Sequence, residues 1–217
     1  MAARFINGAK YALSQAIAAA VAISGVTNAD PAVASTATTP TNGDILIIKS
    51  GWTELNETVA RAAGVSAGVS FQLEGVDTTS TIRFPAGEGA GTYEKASSFV
   101  SITQVRDVVM DGGEQDFFEF QYVEDASSKK RRVPTSKSPD GMTITMDYDP
   151  DLAWYDALIE LDRLKEPVVL RETLPNGDVI YYYGYVSFNK VPTKTLNENM
   201  TVKATFSLLA DPIRYDA

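Results

Sequence analysis

Leu174-Pro175-Asn176-Gly177-Asp178 runs directly into Val179-Ile180-Tyr181-Tyr182-Tyr183-Gly184-Tyr185-Val186-Ser187-Phe188. Asn-Gly accepts positive φ at both centres of a tight turn, so the stretch predicts a hairpin: strand over 168–174, turn over 175–178, strand over 179–188. The second strand has two faces of the same character. Val179, Tyr181, Tyr183 and Tyr185 fall on one side; Ile180, Tyr182, Gly184, Val186 and Phe188 fall on the other. A strand that is apolar on both faces has to be covered on both. A helix can supply one cover. The other is either a second sheet, as ordinary sandwich core, or a neighbouring subunit. Tyr181, Tyr182, Tyr183 and Tyr185 are therefore the candidate subunit-interface residues, because tyrosine joins apolar area to a polar tip.

The helix lies just upstream. Asp149 reads as an N-cap, Pro150 as the first helical position, and Asp151 sits at the positive end of the dipole. Trp154, Tyr155, Leu158, Ile159 and Leu161 then recur on one face, Arg163 and Lys165 fall in the last turn, and Pro167 ends the element. One helix over about 150–165 follows. Period-two alternation marks half-buried strands around it: Met142, Ile144, Met146 and Tyr148, then Met200, Val202, Ala204, Phe206 and Leu208, and Phe118, Phe120 and Tyr122. Between 122 and 142 lies a polar, proline-broken stretch too long for a tight turn. It carries Lys129, Lys130, Arg131 and Arg132 in an acidic protein. Those four residues are the candidate for an arm that docks on an acidic patch of the next subunit and orders on assembly. A nucleic-acid contact and a solvated tip are the other readings.

The first half has a different texture. Residues 11–23 suit an Ala-rich helix by propensity or a strand by the β-branched Val21 and Ile23. Arg4 and Lys10 ahead of the apolar run 16–23 imitate a secretory signal, but the run is mostly alanine, is preceded by Ser14-Gln15, and is too short for a bilayer. Neither a leader nor a membrane anchor is read. Residues 27–92 are punctuated by turn signals such as Asp30-Pro31, Asn42-Gly43 and Ser50-Gly51. Short β-type runs at 45–48, 69–73 and 80–84 between them predict a small barrel or sandwich, and the glycine tract 87–91 reads as a flexible junction. That tract has no following Lys-Ser/Thr, so it is weak evidence for phosphate binding.

Composition narrows the chemistry. The chain contains no histidine and no cysteine, which removes the commonest general base, thiolate metal sites and disulfides. Asp111, Glu114, Asp116, Glu124 and Asp125 are plentiful acids without a spaced catalytic pair. No catalytic residue, cofactor or metal is expected. A net charge of −9 argues against wrapping nucleic acid, and at least keeps the protein soluble.

The ordered series is an aromatic strand, a charged loop, an alternating strand, an Asp-Pro helix, the Leu-Pro-Asn-Gly hairpin, Tyr-Gly-Tyr-Val-Ser, Val-Lys-Ala-Thr-Phe-Ser and Asp-Pro-Ile-Arg-Tyr. It resembles the major tail tube proteins of siphophages, the lambda-like group in particular. The likeness covers 93–217 and an opening strand region near 5–14. Residues 27–85 resemble, more weakly, a small β-barrel insertion of some phage structural proteins. The resemblance implies a mainly β fold, a β-sandwich or barrel flanked by one α-helix, with 1–26 and 93–217 as the tube domain and 27–92 as an inserted small β domain. It implies homohexameric rings that stack on themselves around a tape measure protein, between a tail terminator and baseplate or tip proteins. DNA is then a passing cargo in an acidic lumen, and assembly takes place in the host cytoplasm. The alternatives are a secreted β-rich ligand-binding module, a carboxylate-based hydrolase, and a non-stacking phage ring such as a terminator.

Overall fold

The computed structural model describes residues 6–127 and 129–217. Arg4, and Phe5 at the head of the opening strand region, lie outside them. In chain order the strands of the first half are β1 (Lys10–Ile17), β2 (Val21–Ile23), β3 (Gly25–Val26), β4 (Ala32–Ser35), β5 (Ile45–Ser50), β6 (Thr58–Ser66) and β7 (Ser70–Glu74). Then follow β8 (Gly91–Ile102), β9 (Val105–Asp111), β10 (Gln115–Phe120), β11 (Arg131–Lys137), β12 (Gly141–Asp147), α1 (Ala153–Leu164), β13 (Pro167–Thr173), β14 (Val179–Thr193), β15 (Thr201–Leu208) and β16 (Ile213–Tyr215). All but two of these strands join one long curled sheet in the order β3-β4-β7-β6-β5-β8-β1-β13-β14-β15-β12-β9, with β2 on β8 and β16 on β14. β10 and β11 pair only with each other. The protein is thus mainly β with a single helix among its described residues.

The predicted hairpin is present as β13 and β14, registered from Thr173 opposite Val179 to Pro167 opposite Tyr185. Gly177 alone takes the positive φ, at +94°, and its N–H donates to the Leu174 carbonyl at 2.9 Å. The ambiguous stretch 11–23 is strand. β1 sits between β8 and β13, and Tyr11, Ala12, Leu13 and Ser14 are buried in succession. Two neighbours with free ladder groups outweigh alanine's helix propensity.

The helix starts later than its sequence signals suggest. α1 opens at Ala153, with Leu152 in the capping position and no side-chain cap. Asp149 closes a local turn instead, accepting from the Asp151 N–H at 3.2 Å and from Gln104 Nε2 at 3.2 Å. Lys165, left-handed at φ 57°, stops the helix, and Pro167 begins β13. Trp154, Leu158 and Leu161 bury α1 on one face of the sheet, against Met142, Ile144, Val186 and Phe206.

Residues 27–92 supply most of a second core around Leu46, Ile48, Trp52, Phe71 and Leu73, which Ile23 and Tyr93 complete from outside the segment. The run 80–84, read as a strand, is a turn: the Phe84 N–H donates to Ser80 at 2.8 Å, and Asn28 Nδ2 donates to the Thr78 and Phe84 carbonyls at 2.9 and 2.8 Å. Phe84 serves as a plug, edge-on to Trp52 with ring centroids 5.2 Å apart. The glycine tract is packed as well. A Cβ at Gly89 would meet the Trp52 ring at 2.8 Å, and one at Gly91 would meet the Lys49 carbonyl carbon at 2.9 Å.

β8 is shared by both halves, pairing β5 and β2 near its start and β1 towards its end. A third cluster joins the halves face to face: Ile45, Ile47, Val59 and Ala96 pack on Val169, Tyr181, Tyr183 and Tyr215. Tyr215 pins this contact. Its hydroxyl accepts from the Arg61 N–H at 2.7 Å and donates to the Glu74 carbonyl at 3.2 Å, and the Arg61 guanidinium, bonded twice to Glu74, lies 4.2 Å from its ring.

Candidate functional site: the assembly surfaces

The four tyrosines of the hairpin strand divide by burial. Tyr182 faces α1; Tyr181 and Tyr183 face the β5–β6 side; all three are buried within the chain. The second cover of the two-faced strand is therefore the chain's own sheet over these residues. Only Tyr185 presents surface, at 44% exposure. Tyr182 has a specific polar partner. Glu172, itself buried, accepts from Tyr182 Oη and from Tyr11 Oη, each at 2.7 Å. The pair of donors satisfies a carboxylate that would otherwise be costly to bury.

Burial makes these phenols hard to ionise. It pushes Tyr11, Tyr181, Tyr182 and Tyr183 up from the ordinary 10.0, and Tyr215 up to about 12. A folded-state pKa above the unfolded one gives stability that is complete below the unfolded value and is lost as pH rises through the folded one. Thermal midpoints followed across the alkaline range should hold level to pH about 10 and fall steeply between about 10 and 12. The share of tyrosinate absorbance that belongs to these five buried residues should rise in step with loss of circular dichroism; their ionisation in the intact fold would contradict the assignment.

The stretch 126–141 holds a strand that its proline and charges concealed. β11 pairs β10, with Phe118 opposite Val133 and Glu119 opposite Arg132. Contrary to the alternation at Phe118, Phe120 and Tyr122, this ribbon has no buried face: β11 is exposed throughout and β10 nearly so. Phe118 stacks on Phe120 at 6.3 Å, and Phe120 meets Tyr122 edge-on at 5.3 Å, as an aromatic row open to solvent. Lys129, Lys130, Arg131 and Arg132 lie at its tip and the start of β11. Three of them meet the ribbon's own acids: Arg132 and Lys130 reach Glu119 at 2.6 and 3.4 Å, and Arg131 reaches Asp125 at 3.8 Å. Arg132's hydrogen bond, with help from Lys130, holds the Glu119 carboxyl below its usual range. Such exposed pairs contribute little energy. An isolated two-stranded ribbon is marginal in water, and the aromatic row leaves apolar area that nothing in the chain covers.

A further surface follows from the register. Opposite the helix-covered face of β14, β15, β12 and β9 run Tyr185, Ser187 and Asn189, then Lys203, Thr205 and Ser207, then Thr143 and Thr145, then Asp107 and Val109. This face is short-chained and rich in hydroxyls, with Thr143 and Thr205 3.4 Å apart across strands. The clue in the sequence is the Thr and Ser set between core residues in 142–148 and 200–208. β9 ends the sheet path, with β12 as its partner.

Among the described residues no group of His, Cys, Asp or Glu has metal-holding geometry, and no helix is long and apolar enough to cross a membrane. No curated protein matches the chain. Among solved structures, a chain in the tail of an empty gene transfer agent particle, refined helically with C6 symmetry, aligns with a TM-score of 0.42 and 8% identity, over 54% of this chain and 86% of that one. A chain in the virion of a native gene transfer agent particle aligns with a TM-score of 0.41 and 8% identity, over 54% of this chain and 88% of that one. A family model described as phage tail tube protein, TTP, matches residues 50–217. The match runs from the end of β5 through β16 and so takes in strands on both sides of β8. The chain belongs to the phage tail tube protein family and is a structural subunit of a phage tail tube.

Proposed function

We propose that six copies form a ring, that rings stack head to tail into the tube of a lambda-like siphophage, and that the hydroxyl-rich face of β14, β15, β12 and β9 lines its channel. The uncovered face carries this reading. α1 and the core residues shield one side of these strands, and the other side is left wet, with Thr, Ser and Asp in the majority and Tyr185, Lys203 and Val109 as its larger side chains. Asp107, Asp111 and Asp147, the last paired with Arg106, outweigh Lys203 there. That balance repels phosphate, so DNA passes without sticking during genome ejection. The free edge of β9 offers ladder groups to a neighbouring copy, and the β10–β11 ribbon with Lys129 to Arg132 reaches the adjoining ring as an arm. A tape measure protein fills the channel before the genome does, a terminator and tip proteins close its ends, and assembly precedes in the host cytoplasm. The protein works by association and performs no catalysis.

A chain without cysteine makes the test clean. Purified protein carrying Thr143→Cys should form hollow tubes in which a small maleimide reacts and a polymer-linked maleimide is excluded. Ile82→Cys, at a position 93% exposed, should react with both. Absence of tubes, or equal labelling by the polymer reagent at the two positions, would overturn the proposal; single rings that never stack would favour a terminator.

A further inference from the structure

The β14–β15 connection is an exposed loop with a built shape. At its base the Thr193 and Thr201 hydroxyls are 2.7 Å apart, and the Thr201 N–H donates to Thr193 Oγ1 at 3.3 Å. At its tip the Glu198 N–H donates to the Thr195 carbonyl at 3.3 Å, and Asn197 takes φ 65°. Leu196 stands inside this turn, 88% exposed. A large apolar side chain held out on a closed turn, with no intrachain cover, has little entropy left to lose on docking. Lys190 and Lys194 flank it against the single acid Glu198.

The other end of β15 carries a groove of about 520 Å³. Its walls come from three places: Glu54 in the small β module, Lys137 and Pro139 with Asp140 at the base of the β10–β11 ribbon, and Leu209 with Asp211 after β15. Backbone bonds hold it open, from the Leu208 N–H to the Asp140 carbonyl at 2.9 Å and from the Leu209 N–H to the Tyr183 carbonyl at 2.8 Å. Asp140 and Asp211 line the groove with Lys137, Glu54 is ion-paired with Arg83 at its rim, and Leu209 is 38% exposed there. Loop and groove are therefore opposite in charge, each with an exposed leucine, and they sit at the two ends of one strand. β15 has eight residues, about 26 Å of strand.

We infer that the loop over 193–200 is a plug, and that the groove over 208–211 is its socket on a second copy of this chain. This rests on the head-to-tail tube reading. A copy displaced along the β15 direction by about one strand length sets its Leu196 against Leu209 and Pro139 of the copy behind, with Lys194 toward Asp140 and Asp211. The contact is heterologous and repeats without closing, as an open tube requires. It also gives residues 27–92 a role, since Glu54 and the turn around it form one wall.

Two variants test the inference in the full chain. Leu196→Asp alters only an exposed tip, so thermal unfolding should match the parent while tube yield falls about tenfold or more. Leu196→Cys combined with Thr53→Cys should give, under mild oxidation, a ladder of disulfide-linked oligomers, and either cysteine alone should stop at dimers. Parent-like tube yield from Leu196→Asp, or no ladder from assembled double-cysteine tubes, would overturn the plug and socket while leaving the tube intact. Failure of the parent chain to form tubes would instead sink the tube reading itself.

Discussion

Gly184→Val should leave little folded protein, a loss of more than about 4 kcal/mol. At Gly184, β14 crosses β15 opposite Leu208. A Cβ there would lie 2.8 Å from the Ser207 carbonyl carbon and 2.9 Å from the Leu208 Cα, and the Ser207 oxygen is nearer still. These are backbone atoms fixed in a ladder, so no rotamer change relieves the clash. The strands must separate, and with them the Leu209 N–H bond to Tyr183. Gly141→Ala is the control. Its nearest neighbour, the Phe206 oxygen, is 3.6 Å away, an ordinary contact, and the change should stay within about 1 kcal/mol. Soluble yield and the midpoint of thermal unfolding read both; a Gly184→Val protein that unfolds within a few degrees of the parent would show that the crossing yields more than its geometry allows.

Glu172→Ala should cost roughly 3–5 kcal/mol. The carboxylate is the acceptor for two buried phenols, Tyr11 on β1 and Tyr182 on β14, and so fastens three neighbouring strands from the middle one. Removing it orphans both hydroxyls and opens a cavity. Glu172→Gln keeps an acceptor for one of them and should cost about half as much. Tyr11→Phe combined with Tyr182→Phe would strand the carboxylate instead, and should be worse than either single change. Urea unfolding at neutral pH supplies these values. A loss below about 1 kcal/mol for Glu172→Ala would mean that water replaces the carboxylate.

Much of the second half was legible because its signals are local. Asn176-Gly177 fixes a turn whatever surrounds it, and Met142 to Met146 and Val202 to Leu208 alternate because each strand has one dry face. The helix was recognisable from Trp154, Leu158 and Leu161, while its start was not, since Asp149 satisfies a turn rather than the helix end. β6 and β8 escaped notice for a physical reason. Their interior positions include Ala60, Ala62 and Ala96, whose burial is set by strands far away in sequence rather than by their own hydrophobicity. The same limit applies to the tyrosines. Two apolar faces say that Tyr181 and Tyr183 are covered, but not that Ile45, Ile47 and Val59 cover them. Leu196 looks like any loop leucine until the clasp between Thr193 and Thr201 shows that the loop carrying it is closed at its base.

The sharing of β8 has a mechanical consequence. Two domains joined by a linker part when the linker straightens, and little work is needed. Here the first part of β8 is bonded to β5 and the later part to β1, with no slack chain at the crossing. Tension between the two halves loads those ladders in shear, many bonds at once, while Tyr215 clamps the facing surfaces. Pulled from its ends, the small β module shares the load with the strands beyond β8 rather than swinging free of them.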